Sequence, residues 1–205
     1  MDEQELKDRS KAAGQMIASQ NYEAALQLLV TVTASGQADA IDWNNLGTCY
    51  RRTARMPEAI DCFRKASTLD SAGIVPRHNL GHSLREMGFL DQAAQSYEAI
   101  LRIDPTYEAA WRELLRIHSS RKDSETTAQI MVRCYEALGP VKGKELTVSG
   151  VGVGAAEAAT AGMSEQEQNN VATFLKKRQR RRKLFIWGGL GLIALVVLIL
   201  WEFVL

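Results

Sequence analysis

Residues 40–73 read AIDWNNLGTCYRRTARMPEAIDCFRKASTLDSAG, and residues 74–107 read IVPRHNLGHSLREMGFLDQAAQSYEAILRIDPTY. At an offset of 34, Leu46 and Gly47 fall on Leu80 and Gly81, Ala59 on Ala93, and Phe63 on Tyr97. Ala25 holds the same place one period earlier, and Trp43 returns two periods later as Trp111. Within one copy, Trp43, Leu46, Gly47 and Tyr50 lie three or four apart and share a helical face, as do Ala59, Phe63 and Ala66. Each period therefore encodes two short amphipathic helices. Gly47 and Ala59 are small where the helices cross, which lets their backbones approach, while Trp43, Tyr50 and Phe63 fill the surrounding space. One pair alone would leave an apolar flank in water, and stacking the next pair at a fixed period covers it.

This pattern resembles the tetratricopeptide repeat, whose template runs Trp, Leu, Gly, Tyr, then Ala, Phe and a closing Pro. The resemblance implies an all-α chain, a right-handed superhelical array of four helix-turn-helix units at 6–39, 40–73, 74–107 and 108–142. The second copy lacks only the Pro, which is Ser71. The third keeps Leu80, Gly81, Ala93, Tyr97 and Pro105 but has Arg77 for the aromatic and Ile100 where a small residue is usual. The fourth keeps Trp111 and Leu114, then reads as carrying one extra residue, after which Ala128, Val132, Tyr135 and Pro140 fall into line. The first holds mainly Tyr22, Ala25, Leu29 and Val32. Weak outer copies suit terminal units that face water.

The chain has 205 residues, 46% of them hydrophobic, and a net charge of +1, which fits one domain plus an appended segment. Its charge is unevenly spread: residues 1–142 hold 17 Lys and Arg against 19 Asp and Glu. Residues 176–183 hold seven cations and no acid: Lys176, Lys177, Arg178, Arg180, Arg181, Arg182 and Lys183. Cys49, Cys62 and Cys134 lie far apart, without metal-ligand spacing, and read as core thiols of a reducing compartment.

Residues 184–205 are apolar or Gly except for Glu202, with Trp187 and Trp201 near the two ends. As a helix they extend about 33 Å, enough to cross a hydrocarbon core of about 30 Å, and indole rings favour the interfaces. The N-terminus, Met1-Asp2-Glu3-Gln4-Glu5, has no signal-peptide character. The chain therefore reads as tail-anchored, a single-pass membrane protein. The basic residues before the span hold the repeats in the cytosol and serve as a patch for anionic lipid, each cation contributing about 1 kcal/mol. Nucleic-acid binding and docking of a protein are competing readings of that run, the former poorly placed beside a membrane. An endoplasmic-reticulum or bacterial inner membrane suits so long an apolar span. Between array and anchor, residues 143–163 read as a flexible Gly/Ala-rich linker and 164–183 as a polar, then basic, juxtamembrane helix begun by a Ser164/Glu167 capping box.

In the tetratricopeptide family the first helix of each repeat lines a concave groove, so the resemblance implies a peptide-binding wall. The corresponding positions hold Lys7 and Lys11; Asn44, Asn45, Arg51 and Arg52; His78, Asn79, His82, Arg85 and Glu86; Arg112, Glu113 and Arg116. Seven cations against two carboxylates point to an acidic protein or peptide as partner. A basic face answering acidic outer helices is the other reading. Asn45 and Asn79, 34 residues apart, can donate to and accept from a peptide backbone, or merely sit on a helix surface. One subclass of the family clamps the terminal carboxylate of heat-shock chaperones with Lys, Asn and Arg. Here the flanking positions read Ser10, Gly14, Val75 and Asn79 in one frame and Asn44, Thr48, Ala109 and Glu113 in the other, so that clamp is not expected.

Catalytic signals are weak. His78 and His82 share a helical face at a spacing that can hold zinc, but no nearby Cys or acid completes four ligands. Gly150, Gly152 and Gly154 form no phosphate loop. No enzyme activity, metal, cofactor or nucleic acid is expected. The leading expectation is a tail-anchored scaffold or receptor that recruits an acidic segment to the cytosolic face of a membrane. The alternative is an accessory or assembly subunit of a membrane complex, with the span packed against other subunits.

Overall fold

Among the described residues, eight helices follow from the spacing of apolar residues, four of them begun by a capping side chain. A computed structural model describes residues 2–139 together with 142, 143 and 146. The helices are α1 (Glu3–Ala18), α2 (Tyr22–Ala34), α3 (Ala40–Arg52), α4 (Met56–Leu69), α5 (Ile74–Glu86), α6 (Leu90–Ile103), α7 (Glu108–Ser120) and α8 (Ser124–Leu138). Asp2, Asn21 and Asp123 accept from backbone N–H groups of the first turns of α1, α2 and α8, and Asp39 closes a reciprocal capping box with Asp42. Each helix packs on its neighbours in sequence, and α1 touches α3 as α3 touches α5. The odd-numbered helices thus form one continuous layer and the even-numbered helices the other.

In the second and third pairs the helices cross on a glycine. A Cβ on Gly47 would lie 2.7 Å from the Phe63 ring, and one on Gly81 would lie 3.0 Å from the Tyr97 ring. Both rings are fully buried, so neither can swing aside. Arg77 takes the place of the aromatic in the third copy for a structural reason. Its guanidinium donates to the carbonyls of Ser67, Asp70, Ser71 and Gly73 and so ties the α4–α5 turn to α5. In the fourth copy Trp111 performs the same task through one bond, Nε1 donating to Pro105 O at 2.8 Å.

Two readings of the sequence are corrected. The fourth copy has no extra residue before Ala128: α8 starts 34 residues after α6, and Thr127, Met131 and Cys134 are buried where Ala93, Tyr97 and Ile100 sit one repeat earlier. Thr127 can stand at a core position because its hydroxyl donates to Asp123 O at 2.6 Å. Packing also continues past residue 142, where the array was expected to give way to a linker. Gly143 and Leu146 are helical and buried, and Gly143 lies against Tyr135 so closely that a Cβ would approach the Tyr135 Cα to 3.0 Å. Residues 147–205, which include the rest of the expected linker, the basic segment and the apolar span, lie outside the described residues. Among the described residues no helix is long and apolar enough to cross a membrane.

The turn inside each pair repeats as faithfully as the core. Gln20, Ala54, Gly88 and Lys122, spaced by 34, all adopt positive φ, at 62°, 62°, 81° and 56°. The next residue then donates back across the turn, as in Arg55 N to Tyr50 O and Phe89 N to Leu84 O, both 2.8 Å. Only the third copy supplies the glycine this conformation favours.

Two stability measurements check these points by urea titration. Gly47→Ala is expected to cost about 1–3 kcal/mol through overpacking, more than Gly81→Ala, whose neighbours stand slightly farther off. Ala54→Gly is expected to stabilise by about 0.5–1 kcal/mol, because relief of the left-handed strain exceeds the added chain entropy.

Candidate functional site

The layer of odd-numbered helices carries the polar side chains picked out in the sequence, and the structure sorts them into three groups. At the N-terminal end, Lys7, Lys11 and Asn45 border a cleft of about 490 Å³ between α1 and α3, whose lining also includes Leu6, Val32 and Ile41. Lys7 is held by Glu3 at 2.6 Å, an exposed pair on one face of α1. Lys11 is exposed and has no ion pair among the described residues.

The middle of the layer is a network that crosses helices. Asn79 Nδ2 donates to Asn44 Oδ1 at 2.9 Å, joining α5 to α3, so part of the expected peptide-gripping amide capacity is used internally. Arg51 Nη1 lies 3.3 Å from His82 Nδ1, a nitrogen that accepts from the guanidinium when the ring proton is on Nε2. Glu86 Oε1 lies 3.4 Å from the same nitrogen. His78 sits edge-on to Tyr97 and Tyr107, with ring centroids 5.9 and 6.0 Å away. Burial lowers the pKa of both histidines: His78 is further lowered by His82 and Arg51, and His82 by Arg51 and Arg85, against partial opposition from Glu86 and Glu113.

Glu113 of α7 dominates the third group. Only 13% exposed, it lies 3.0 Å from Arg85 Nε and 3.2 Å from Arg116 Nη1. The Arg85 contact is an ion pair angled away from a hydrogen bond, since neither Arg85 Nε nor Glu113 Oε2 has a hydrogen-bond partner in the structure. Arg112, half-buried on α7, has no ion pair among the described residues. Arg52 turns from this layer to lie over the Tyr22 ring, 5.7 Å from its centroid. The seven cations of the sequence count are therefore not equivalent: Arg51, Arg85, Arg116 and Lys7 have polar partners within the array, whereas exposed Lys11 and half-buried Arg112 have no ion pair among the described residues.

Glu3 is the contributor the sequence reading missed. It lies before the first expected repeat, and its i, i+4 spacing to Lys7 was the available signal. The thiols of Cys49, Cys62 and Cys134 are buried, and burial pushes each up to about 11, which makes them poor nucleophiles at neutral pH. Among the described residues no group of three or more His, Cys, Asp or Glu side chains is placed to hold a metal ion.

Comparison with known proteins agrees with this architecture. Tetratricopeptide repeat models match residues 17–73 and 76–107. The cell division cycle protein 27 homolog of Caenorhabditis elegans is 27% identical over 107 residues, which is 52% of this chain but only 14% of that protein's length. The crystal structure of YrrB, described as a TPR protein with an unusual peptide-binding site, superposes with a TM-score of 0.59 at 16% identity, covering 70% of this chain and 72% of YrrB. The first TPR of Spaghetti (RPAP3), bound to the HSP90 peptide SRMEEVD, superposes with a TM-score of 0.56 at 17% identity, covering 60% of this chain and 97% of that one. The eight helices are an all-α, tetratricopeptide-like array.

The half-buried histidines make stability depend on pH. Both are held neutral in the fold, so below the ordinary histidine value of about 6.5 the unfolded chain takes up protons first. Stability is therefore expected to be full above that value and to fall as pH drops from about 6.5 through the lowered folded values. Urea midpoints measured between pH 7.5 and 4.5 should show this slope, and it should flatten in the His78→Asn, His82→Asn double variant.

Proposed function

We propose that this protein is a membrane-held scaffold or receptor whose array grips an acidic protein segment on the cytosolic face. The observation that carries the reading is a pair of cations without an ion pair among the described residues, exposed Lys11 and half-buried Arg112, set on the first and last helices of the layer formed by α1, α3, α5 and α7. Between them Asn45 adds hydrogen-bonding capacity beside an open cleft. Such a surface attracts carboxylates and orients an extended chain along the helices that line it. That the first TPR of Spaghetti (RPAP3) holds the peptide SRMEEVD, with two Glu and an Asp, shows the kind of ligand this architecture accommodates there.

The apolar run 184–205 is the proposed anchor, and the seven cations of 176–183 the proposed contact with anionic lipid. An endoplasmic-reticulum or bacterial inner membrane fits this arrangement. A scaffold needs no catalysis of its own, and nothing in the groove resembles a nucleophile with its base. The accessory-subunit reading draws support from Leu69 and Ile103, equivalent residues at the ends of α4 and α6 that remain 58% and 40% exposed. Aliphatic side chains repeated along one edge suit packing on a larger assembly.

Capture of partners by the detergent-solubilised full chain tests the proposal. Capture should fall at least tenfold in the Lys11→Glu, Arg112→Glu double variant and should weaken steeply with salt. Capture indifferent to both changes, yet lost when 184–205 is exchanged for an unrelated apolar helix, would transfer the function to the accessory-subunit reading.

A further inference from the structure

The two ends of the helix pairs differ. Short turns join consecutive helices, so the joints α2–α3, α4–α5 and α6–α7 gather at one end of the array and the turns inside the pairs at the other. The joint end carries aliphatic side chains that return with the repeat. Leu69 and Ile103 stand exposed at the ends of α4 and α6, and Ile41 and Val75, in the first turns of α3 and α5, remain 67% and 60% exposed. Aliphatic groups repeated in water along one end form a surface that gains by being covered.

Charge singles out the same end. Asp39, Asp70 and Asp104 stand one in each joint, accepting from a nearby backbone N–H, and none has an ion pair among the described residues. The neighbouring cations are largely engaged: Arg77 donates to the carbonyls of its turn, Lys65 lies over the Trp43 ring and Lys142 pairs with Glu108 at 2.8 Å. Three unpaired carboxylates thus face one exposed cation, Arg102. Asp70 and Asp104 also cap the C-termini of α4 and α6, where the helix dipole disfavours negative charge, so helix electrostatics does not explain them. At the opposite end Glu58 and Asp91 are matched by Arg55 and Arg121, at 2.8 and 2.6 Å.

The chain itself supplies the complement. It leaves α8 at the joint end, where Lys142 is held to Glu108 and Leu146 is buried in the core. Farther on come Val171, Phe174 and Leu175, apolar at i, i+3 and i+4, and directly after them the seven cations of 176–183 without an acid. A coil of the length of residues 147–170 spans about 25–30 Å, enough to return across the joints of helices that stand about 10 Å apart. We infer that residues 171–183 dock on the joint end of their own array, the three apolar side chains on Leu69, Val75 and Ile103 and the cations on Asp39, Asp70 and Asp104. The contact does not depend on what the layer of odd-numbered helices binds. It gives the basic run two mutually exclusive seats, the array and the anionic lipid proposed above. Because the contact is intramolecular it needs little intrinsic affinity, and a strongly anionic bilayer can displace it.

The test uses the full chain in nonionic micelles, as wild type and with all seven cations of 176–183 changed to Gln, and a fluorescein-labelled synthetic peptide of residues 168–183. In the wild type the joint end is already covered. Fluorescence anisotropy, with empty micelles subtracted, should therefore show the peptide binding the Gln variant at least tenfold more tightly. Adding Leu69→Ser with Ile103→Ser, or Asp70→Asn with Asp104→Asn, to the Gln variant should weaken the peptide at least fivefold in each case. Leu69 and Ile103 are exposed, and Asn keeps the oxygen that accepts within the turn, so circular dichroism and melting temperature should hold. Lys11→Glu with Arg112→Glu, which tests the groove, should not weaken the peptide. Equal binding to wild type and Gln variant, no binding to either, or binding indifferent to Leu69 and Ile103 overturns the inference and leaves the groove reading standing. A wild-type mass that doubles in sedimentation and returns to one copy with Leu69→Ser, Ile103→Ser assigns the end to a second copy and likewise overturns it.

Discussion

Everything in the array depends on how closely the two helices of a pair can approach. Gly47 against Phe63 and Gly81 against Tyr97 bring one backbone onto an aromatic ring with no room for a methyl group. That contact sets the crossing, and the crossing sets which residues of the first helix turn toward the second and which are left on the layer of odd-numbered helices. Because the same contact recurs after 34 residues, each pair presents its neighbour with the same flank. The layer of odd helices is then continuous by construction. The core divides accordingly into a cluster shared by the first two pairs and a second shared by the last two, with Ile60 of α4 reaching into the latter.

The polar layer follows a different logic. In the centre and C-terminal half of the array charged and polar side chains meet across helices, Arg51 with His82 and Arg85 with Glu113, and Glu113 also takes Arg116 from its own helix. This internal pairing leaves less free charge there than a residue count suggests. The N-terminal end is the reverse case. A glycine on α1 leaves a void, an aliphatic side chain borders it, and a lysine remains unpaired. The same layer thus has a stretch of paired charge and an open one.

The aromatic of the repeat also shows how one structural task can be met by different chemistry. Trp43 lies beneath Lys65, whose ammonium is 4.1 Å from the ring centroid, and Trp111 donates one hydrogen bond to the preceding turn. Arg77, at the same repeat position, makes four bonds to carbonyls of that turn and so supplies by polar contact what the indole supplies by packing and one N–H. The substitution weakens the family pattern without weakening the joint.

The helices and their pairing were legible from sequence because they arise from short-range spacing, three or four residues along a helix and 34 between copies. Where the pattern degenerated, legibility failed: Thr127 and Met131 were passed over in favour of Ala128 and Val132, since only the structure shows that a hydroxyl bonded to Asp123 can sit in the core. The end of packing was misplaced for a similar reason, as Gly143 and Leu146 belong to no repeat position and reveal themselves only by burial. The balance of charge in the groove was the least legible. Composition and spacing determined that cations would gather on the inner layer. Lys7 pairs with Glu3 at an i, i+4 spacing that the sequence already carries, but the pairing of Arg85 with a residue 28 positions away was decided by tertiary structure alone, because it depends on side-chain reach between helices that no linear pattern encodes.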